Sequence, residues 1–473
     1  MQVNQSIFRG YDIRGLVGTD LSPELYEHIG RAHGTYLKNR GILEAVVGYD
    51  CRATSKEYAD AFVAGLAWTG VDVINIGLTM VGTFYWSQYY LNRKGGAFIT
   101  ASHNPAEYNG LKLAANFSDT LVSDGIGEIK NLVLTETYLQ GEKTGNISFQ
   151  SVNEAYFDDI LKRFSNFKPL KVLVDPSCTT AGVLVPAILK KAGFEVIEKN
   201  CNIDPTFPLG TPDPTESEVA KRVSREVIES GANIGFTYDA DGDRMGIVDE
   251  KGGIIWNDVL VAIFATDVLA HHPGDKIMYN TLCSKIVEDT IIKNGGVPFM
   301  WRTGHSFLKK KNQEIKAAFI GELSGHFFFS ADFYNHDDGI YSTMRLLDYL
   351  SRTNQTLSQA VDSLPKYISS PEIKVGCADD KKVALMDKFS EILKKDYPQA
   401  EIISDERAGD GVRLNLIDGM FVVRYSQNGP YLTVKFEAST DQKYQELKIY
   451  IKNLLHSSSE IDWNYGVNVE SLD

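Results

Sequence analysis

The stretch Ala45-Val46-Val47-Gly48-Tyr49, followed by an amphipathic run over residues 58–68 and a second apolar run over residues 71–76, decides the fold class. A short apolar strand, a helix-period segment and another short strand within some thirty residues make a βαβ unit, with parallel strands and a helix laid across them. The order recurs twice. Residues 171–174, 183–191 and 194–197 read as strand, helix and strand, and so do 276–280, 284–293 and 297–301. Beyond about residue 370 the pattern changes. A helix over 381–397 precedes strands at 412–416, 420–425 and 431–437, with turn dipeptides Asp418-Gly419 and Asn428-Gly429 between them, and a final helix covers 441–455. The expected architecture is α/β: three related α/β domains with mixed, largely parallel sheets, then a smaller C-terminal α+β domain. The expected boundaries are 1–150, 151–255, 256–370 and 371–473, with no Gly/Ser/Pro-rich linker marking them.

At 473 residues the chain exceeds a single core. Its formal net charge of -14 argues against nucleic acid or an anionic membrane as partner. The five cysteines, Cys51, Cys178, Cys201, Cys283 and Cys377, are widely spaced and form no Cys-x-x-Cys pair, so free buried thiols in a reducing cytoplasm are expected. The first fifteen residues contain Arg9, Asp12 and Arg14 and no apolar core, and no apolar run is long enough to span a bilayer. A cytoplasmic protein is expected.

Three short buried-type strands, over 96–100, 233–237 and 317–321, each lead into a polar loop. In open α/β sheets ligands gather outside the carboxyl ends of strands. The first loop is Thr100-Ala101-Ser102-His103-Asn104-Pro105, which places a hydroxyl nucleophile beside a histidine. Taken alone it fits a structural turn better than a catalytic one, and no Gly-x-Ser-x-Gly elbow is present. The second is Asp239-Ala240-Asp241-Gly242-Asp243-Arg244, whose alternating carboxylates converge if the loop curls at Gly242. Three like charges at close range call for a hard cation such as Mg²⁺. An EF-hand is disfavoured because Met245 to Val248 reads as a strand and no helices flank the loop. The third loop carries Glu322, Ser324 and His326, whose alternation sets carboxylate, hydroxyl and imidazole on one side for sugar hydroxyls. A polar turn is the alternative. Further on, Arg424-Tyr425-Ser426-Gln427-Asn428-Gly429 offers a phosphate cradle, although an arginine in a hairpin is otherwise a solvated edge charge. Arg9, Tyr11 and Arg14 cluster near the N-terminus, and Lys112 follows the serine loop. Thr303-Gly304-His305-Ser306 opens a helix whose Lys309, Lys310 and Lys311 read as a solvated face. A nucleophilic hydroxyl together with an oxygen-rich metal loop points to phosphoryl transfer.

These segments in one order resemble the α-D-phosphohexomutase family: phosphomannomutase, phosphoglucomutase and phosphoglucosamine mutase. The resemblance covers essentially the whole chain. It is carried by Tyr11-Asp12-Ile13-Arg14-Gly15, the serine and aspartate loops, Gly321-Glu322-Leu323-Ser324-Gly325-His326 and Asp337-Asp338-Gly339. It implies four domains around a central cleft and a mutase that interconverts hexose 1-phosphate and hexose 6-phosphate, of mannose first and of glucose second. It further implies that Ser102 carries a phosphoryl group, that Mg²⁺ is held by Ser102, Asp239, Asp241 and Asp243, and that hexose 1,6-bisphosphate is intermediate and activator. By the same resemblance Ser102, His103, Lys112, Arg14, Arg244 and His305 are the candidate catalytic residues, with the general base left open. Tyr11, Glu322, Ser324, His326, Arg424, Ser426, Gln427 and Asn428 are the candidate substrate contacts. The partners would be small hexose phosphates, and the chain a monomer or dimer.

Two departures bear on specificity. The sugar loop has Leu323 where phosphomannomutases of the family usually have methionine, a volume-conserving change, and it lacks the glutamine of phosphoglucosamine mutases. The phosphate loop has Gln427 and Asn428 where Asn-Thr is common. Phosphoglucosamine mutase, a catalytically silent sugar-phosphate scaffold and a metal-dependent phosphatase are the rival readings.

Overall fold

The computed structural model describes residues 3–426 and 429–473. The first sheet is built from β1 (Ile13–Leu16), β2 (Glu44–Tyr49), β3 (Asp72–Leu78), β4 (Gly95–Ile99), β5 (Tyr108–Ala114) and β6 (Ile147–Phe149). Their spatial order is β1-β5-β4-β2-β3-β6. The β4-β2-β3-β6 side is parallel and the β1-β5-β4 side antiparallel, so the serine loop leaves β4 where the two regimes meet.

The second sheet contains β7 (Lys171–Val174), β8 (Glu195–Glu198), β9 (Ile234–Tyr238), β10 (Met245–Asp249) and β11 (Ile254–Ile255), in the order β11-β10-β9-β7-β8. The third contains β12 (Lys276–Asn280), β13 (Val297–Trp301), β14 (Phe319–Gly321) and β15 (Phe327–Phe328), in the order β13-β12-β14-β15. Both have parallel central pairs and an antiparallel strand after the functional loop.

The last sheet holds β16 (Ile368–Ser369), β17 (Ile373–Gly376), β18 (Glu401–Ile403), β19 (Gly411–Leu416), β20 (Gly419–Tyr425), β21 (Tyr431–Ala438) and β22 (Asp462–Val467). It is antiparallel throughout, and it is covered by helices Lys382–Asp396 and Asp441–His456, which pack Phe389, Leu393, Leu447 and Ile451 on Phe421, Val423 and Val434. Three mixed α/β sheets and one antiparallel domain are thus the architecture expected from the pattern.

The contacts divide the chain into two compact units. One holds Met1–Pro214, Val219–Ile254 and Tyr334–Leu357, and the other Thr215–Glu218, Ile255–Phe333 and Ser358–Asp473. In the first unit the core rests on helices Pro23–Lys38 and Ser55–Trp68 lying over the first sheet. The earlier helix starts where Ser22 Oγ accepts from Leu25 N at 3.2 Å, with Pro23 at its first position, Glu24 in the first turn and Lys38 in the last. Tyr26, Ile29, Phe62 and Leu66 fill the space beneath, against Val47, Ile99 and Leu111. The helices meet closely at Gly65, where an added Cβ would stand 2.0 Å from Glu27 O. Gly65→Ala therefore has to push the helices apart and open the core.

Helix Gly339–Thr353 also packs in this unit. Asp338 caps it, Oδ1 accepting from Tyr341 N at 2.9 Å and Oδ2 from Tyr156 Oη at 2.7 Å. Burial pushes the Asp338 carboxyl up to about 7, against the hydrogen bonds from Tyr341 and Tyr156 that favour its charged form. A raised carboxyl means that the folded chain holds the proton that the unfolded chain releases near 3.8. The stability linked to that proton is complete below the unfolded value and is lost as pH rises through about 7. Urea midpoints at pH 5 and pH 8 should therefore differ less in Asp338→Asn than in wild type. An equal drop in both would mean that Asp338 is ionised throughout.

Two expectations need correction. Cys51, Cys283 and Cys377 are buried thiols, but Cys178 and Cys201 are partly exposed; all five are free. Lys309 is not on a solvated face. It is buried, while Lys311 lies over the Trp301 ring with Nζ 4.5 Å from its centroid. Among the described residues no helix is long and apolar enough to cross a membrane.

Candidate active site

The first unit assembles its polar centre from two strand ends. Residues 100–105 follow β4, and residues 239–244 join β9 to β10, whose register pairs Met245 with Tyr238. That hairpin makes the three aspartates converge. Gly242 takes φ +71°, the conformation that favours glycine, and a Cβ there would also displace the Met80 side chain, whose Cε would stand 2.2 Å away. Val81 N donates to Asp241 O at 2.9 Å and pins the loop.

Ser102 lies across from Asp239, 137 residues away in sequence, and its Oγ donates to Asp239 Oδ2 at 2.7 Å. His103 Nδ1 is 3.2 Å from the same Oγ. The serine sits in the left-handed region, φ +49°, with its N–H bonded to Thr100 Oγ1 at 2.8 Å. A non-glycine residue held there costs roughly 1–2 kcal/mol, and such strain gathers at functional loops. Lys112, from β5, donates to Asp241 Oδ2 at 2.8 Å and to Asp243 Oδ2 at 2.5 Å. Arg14, from β1, pairs with Asp12 at 2.7 Å and donates to Ala101 O at 3.2 Å and Asn104 Oδ1 at 2.7 Å. Arg244 N donates to Asp239 Oδ1 at 3.2 Å, and its side chain stands 3.9 Å from both Asp239 and Asp213. Tyr11 is buried within electrostatic reach of Arg14 and Arg244.

The electrostatics follow from burial and like charge. Burial, then Asp241 and Asp243, push the Asp239 carboxyl well above its usual range. Burial works the same way on Asp241, but Lys112 and Arg14 outweigh it and hold that carboxyl below its usual range. Burial disfavours the Lys112 ammonium, yet Asp241 and Asp243 hold its proton firmly. Arg244 is likewise kept protonated by Asp213 and Asp239 against its burial. One oxygen from each of Asp239, Asp241 and Asp243 lies within 4.8 Å of the others, and Asp241 Oδ1 is buried with no hydrogen-bond partner. Buried, converging, all-oxygen and anionic, this donor set fits a hard divalent cation.

In the second unit β12 and β14 bring a different set together. Asn280, at the end of β12, donates from Nδ2 to Thr303 Oγ1 at 3.1 Å and to Glu322 Oε2 at 3.4 Å. Its Oδ1 accepts from Leu323 N at 3.1 Å. Gly304 N also donates to Glu322 Oε2, at 3.1 Å. The loop over residues 322–326 is a tight turn and not an alternating segment: Glu322 N bonds His326 O and Gly325 N bonds Glu322 O, each at 3.0 Å. Glu322 and His326 thus face across the turn, with Ser324 half-buried at its tip. His305, opening helix His305–Ile315, stacks on His326 with ring centroids 5.1 Å apart.

In the C-terminal domain Arg424 is no solvated edge charge. It is buried, and Nε and Nη2 form a bidentate pair with Asp410 at 2.9 and 2.6 Å, because β19 and β20 pair Gly411 with Arg424. Burial disfavours its charge, and Asp410 keeps it protonated nonetheless. Ser426 is buried beside it, and Lys382 Nζ donates to Ser426 O at 2.6 Å and Gly429 O at 3.2 Å, closing the loop's two ends. Gln427 and Asn428 lie outside the described residues.

Thus Ser102, His103, Lys112, Arg14, Arg244, Tyr11 and the three aspartates gather in one unit. Glu322, Ser324, His326 and His305 gather in the other, which also carries Arg424 and Ser426. Sequence reasoning missed Arg52, Asp410, Asn280 and Lys382. For Arg52 a signal existed: Asp50-Cys51-Arg52 directly follows the carboxyl end of a parallel strand, the ligand side of such sheets.

Three family models match in succession, described as phosphoglucomutase/phosphomannomutase alpha/beta/alpha domains I, II and III, over residues 5–140, 154–253 and 256–367. A phosphomannomutase/phosphoglucomutase of Pseudomonas putida is 35% identical over 457 residues, 96% of this chain and 97% of the relative. A phosphoglucomutase of Neisseria gonorrhoeae is 31% identical, covering 98% of this chain and 99% of the relative. The crystal structure of a phosphoglucomutase/phosphomannomutase family protein from Burkholderia thailandensis superposes with a TM-score of 0.88 at 32% identity, covering 96% of this chain and 98% of that one.

Proposed function

Since this chain belongs to the phosphoglucomutase/phosphomannomutase (α-D-phosphohexomutase) family of enzymes, we propose that it interconverts the 1- and 6-phosphates of mannose, and of glucose as a second substrate, through phosphoserine at Ser102. The observation that carries this reading is the Ser102 hydroxyl, 2.7 Å from Asp239 and 3.2 Å from His103 Nδ1, in a centre with Lys112 and Arg14. In the forward half-reaction the bond from Ser102 Oγ to phosphorus breaks as the free hydroxyl of a hexose 1-phosphate attacks. The hexose 1,6-bisphosphate so formed returns its other phosphoryl group to Ser102. The proton leaving the sugar hydroxyl in one half is given back to the sugar in the other, so a single acid–base group near Oγ serves both.

Asp239, Asp241 and Asp243 would hold a divalent cation together with an oxygen at Ser102, and Mg²⁺ is the hard ion that suits them. When bound, the cation offsets charge on the phosphoryl group in transfer. Arg14 orients the serine loop through Ala101 and Asn104, Lys112 orients the aspartate loop, and both add positive charge around Ser102. Arg424 and Ser426 would hold the phosphate that is not reacting; the two Arg424 bonds to Asp410 fix the guanidinium plane for that task. Glu322 and Ser324 would hold sugar hydroxyls, with Asn280 and Gly304 orienting the Glu322 carboxylate.

The test is turnover of mannose 1-phosphate and glucose 1-phosphate side by side, with Mg²⁺ and a trace of 1,6-bisphosphate. Both should be converted to 6-phosphates, mannose 1-phosphate with the higher kcat/KM. No conversion of either, with glucosamine 1-phosphate converted, transfers the specificity to amino sugars. No conversion of any, with no phosphate on Ser102 by intact mass, removes the mutase reading.

Arg424→Met should lower kcat/KM about 10²-fold, the loss of charged hydrogen bonds of about 1.5–3 kcal/mol, while intact mass still finds phosphate on Ser102. Unchanged kcat/KM would take Arg424 out of the phosphate site.

A further inference from the structure

We propose that Arg52 is a positioning residue for the serine loop, a buried guanidinium around which the backbone from Ser102 to Tyr108 is moulded. The inference rests on the reading of Ser102 as the phosphoryl carrier. Arg52 Nη2 donates to Ser102 O and Asn104 O, both at 2.6 Å, and Nη1 to Pro105 O at 2.8 Å and Tyr108 O at 2.9 Å. Its Nε stands 3.3 Å from Asp50 Oδ2, and its side chain is 1% exposed. The guanidinium also lies 5.0 Å from the centroid of the Phe207 ring. No reacting atom is touched.

The chemistry explains why this position needs arginine. Four carbonyl oxygens turned toward one point repel each other, and away from water each needs a donor. A guanidinium offers five N–H groups in a rigid planar fork and satisfies all four while Nε faces Asp50. A lysine offers three donors on one atom. The bond to Ser102 O acts on one side of a residue held at φ +49°, and the bond from Ser102 N to Thr100 Oγ1 acts on the other. Together they keep Oγ aimed at Asp239 without help from the substrate. Asp50 is fixed in turn: its Oδ1 accepts from Arg52 N at 3.0 Å and Ser55 Oγ at 2.5 Å, and its N–H bonds Ile99 O, the last residue of β4.

The second domain supplies an internal comparison. Asp175 follows β7 as Asp50 follows β2, and the same turn forms, Ser177 N donating to Asp175 Oδ1 at 2.9 Å. There the arginine comes from a helix: Arg222 bonds Asp175 and Ser177 Oγ, at 2.7 and 2.6 Å. The aspartate turn is thus a feature of both domains, whereas in the serine domain its arginine is turned onto the carbonyls of the nucleophile loop.

The test compares wild type with Arg52→Lys, Arg52→Ala and the milder Asp50→Asn, which keeps the arginine but removes its counter-charge. Each is checked for folding by circular dichroism and thermal melting. kcat, KM and the rate of Ser102 phosphorylation by glucose 1,6-bisphosphate, followed by intact mass, are then measured. A misplaced nucleophile should cost about 10²-fold in kcat. The expected result for Arg52→Lys is that loss, with KM within about threefold of wild type and a matching fall in the phosphorylation rate. Asp50→Asn should fall between. Millimolar guanidinium should raise kcat of Arg52→Ala about tenfold or more, a rescue of about 1.4 kcal/mol, and should do nothing for Ser102→Ala. Wild-type kcat in folded Arg52→Lys, or loss in Arg52→Ala that guanidinium does not touch, overturns the positioning role while phosphate on wild-type Ser102 leaves the carrier reading standing. Absence of phosphate on wild-type Ser102 during turnover overturns the carrier reading and this proposal with it.

Discussion

Ser102→Ala should lower turnover of both hexose 1-phosphates by roughly four orders of magnitude or more, as removal of a covalent nucleophile does, and should leave no phosphate on the protein by intact mass. The chain should still fold. Ser102 is buried, and its hydroxyl is one of the donors to Asp239, so the variant loses a bond to a charged group, about 1.5–3 kcal/mol, in a unit with a large separate core. The geometry supplies a second readout. At φ +49° alanine is as strained as serine, whereas glycine is not. Ser102→Gly should therefore melt at a higher temperature than Ser102→Ala and be equally inactive. That ordering separates chemistry from folding, because an activity that followed stability would return in the glycine variant. Wild-type turnover in either variant would show that the phosphoryl group travels by another route.

Much of this site was legible in the sequence for a physical reason. Strands that end in functional loops are short apolar runs followed by polar residues. That contrast marks residues 96–100 and 233–237, which are β4 and β9 within a residue. The three aspartates were legible because like charges at alternating positions need an explanation. What stayed hidden depends on neighbours distant in sequence. Nothing near Arg52 says which loop its guanidinium reaches, since the contact exists only because β2 lies beside β4. Asp410 meets Arg424 only through the hairpin register of β19 and β20. Lys309 and Lys310 read alike as letters. Successive helical residues, however, point about 100° apart, so one of the lysines is buried while the next is exposed. Strand alternation misplaces residues 322–326, because Gly325 at φ +95° turns them into a hairpin and sets Glu322 opposite His326.

Chelation of divalent cations should abolish turnover and also lower the melting temperature, with Mg²⁺ restoring both. The stability arm follows from linkage: a cation that binds the folded chain at a hundred times its Kd adds about 2.7 kcal/mol, enough to move the melting temperature by several degrees. The three carboxylates determine how variants should respond. Asp241 carries a buried oxygen with no hydrogen-bond partner, and Lys112 holds its other oxygen. Asp241→Asn removes one anionic ligand, so it should raise the Mg²⁺ concentration needed for half-maximal turnover at least about tenfold, as removal of an outer-sphere partner alone can do. The melting response to Mg²⁺ should shrink with it. Lys112→Met should act in the opposite sense on stability. Without the ammonium, Asp241 and Asp243 lose the positive charge that offsets them, so the chelated variant should melt lower than chelated wild type and gain more from Mg²⁺. Turnover of Lys112→Met should nonetheless be low, because the lysine's two bonds fix the Asp241 and Asp243 carboxylates in the centre that holds Ser102. Opposite responses of Asp241→Asn and Lys112→Met to the same ion can arise only if ion and ammonium share one set of carboxylates. Equal melting temperatures with chelator and with Mg²⁺, in wild type and both variants, would leave the aspartate loop without a cation and assign its charge balance to Lys112, Arg14 and Arg244.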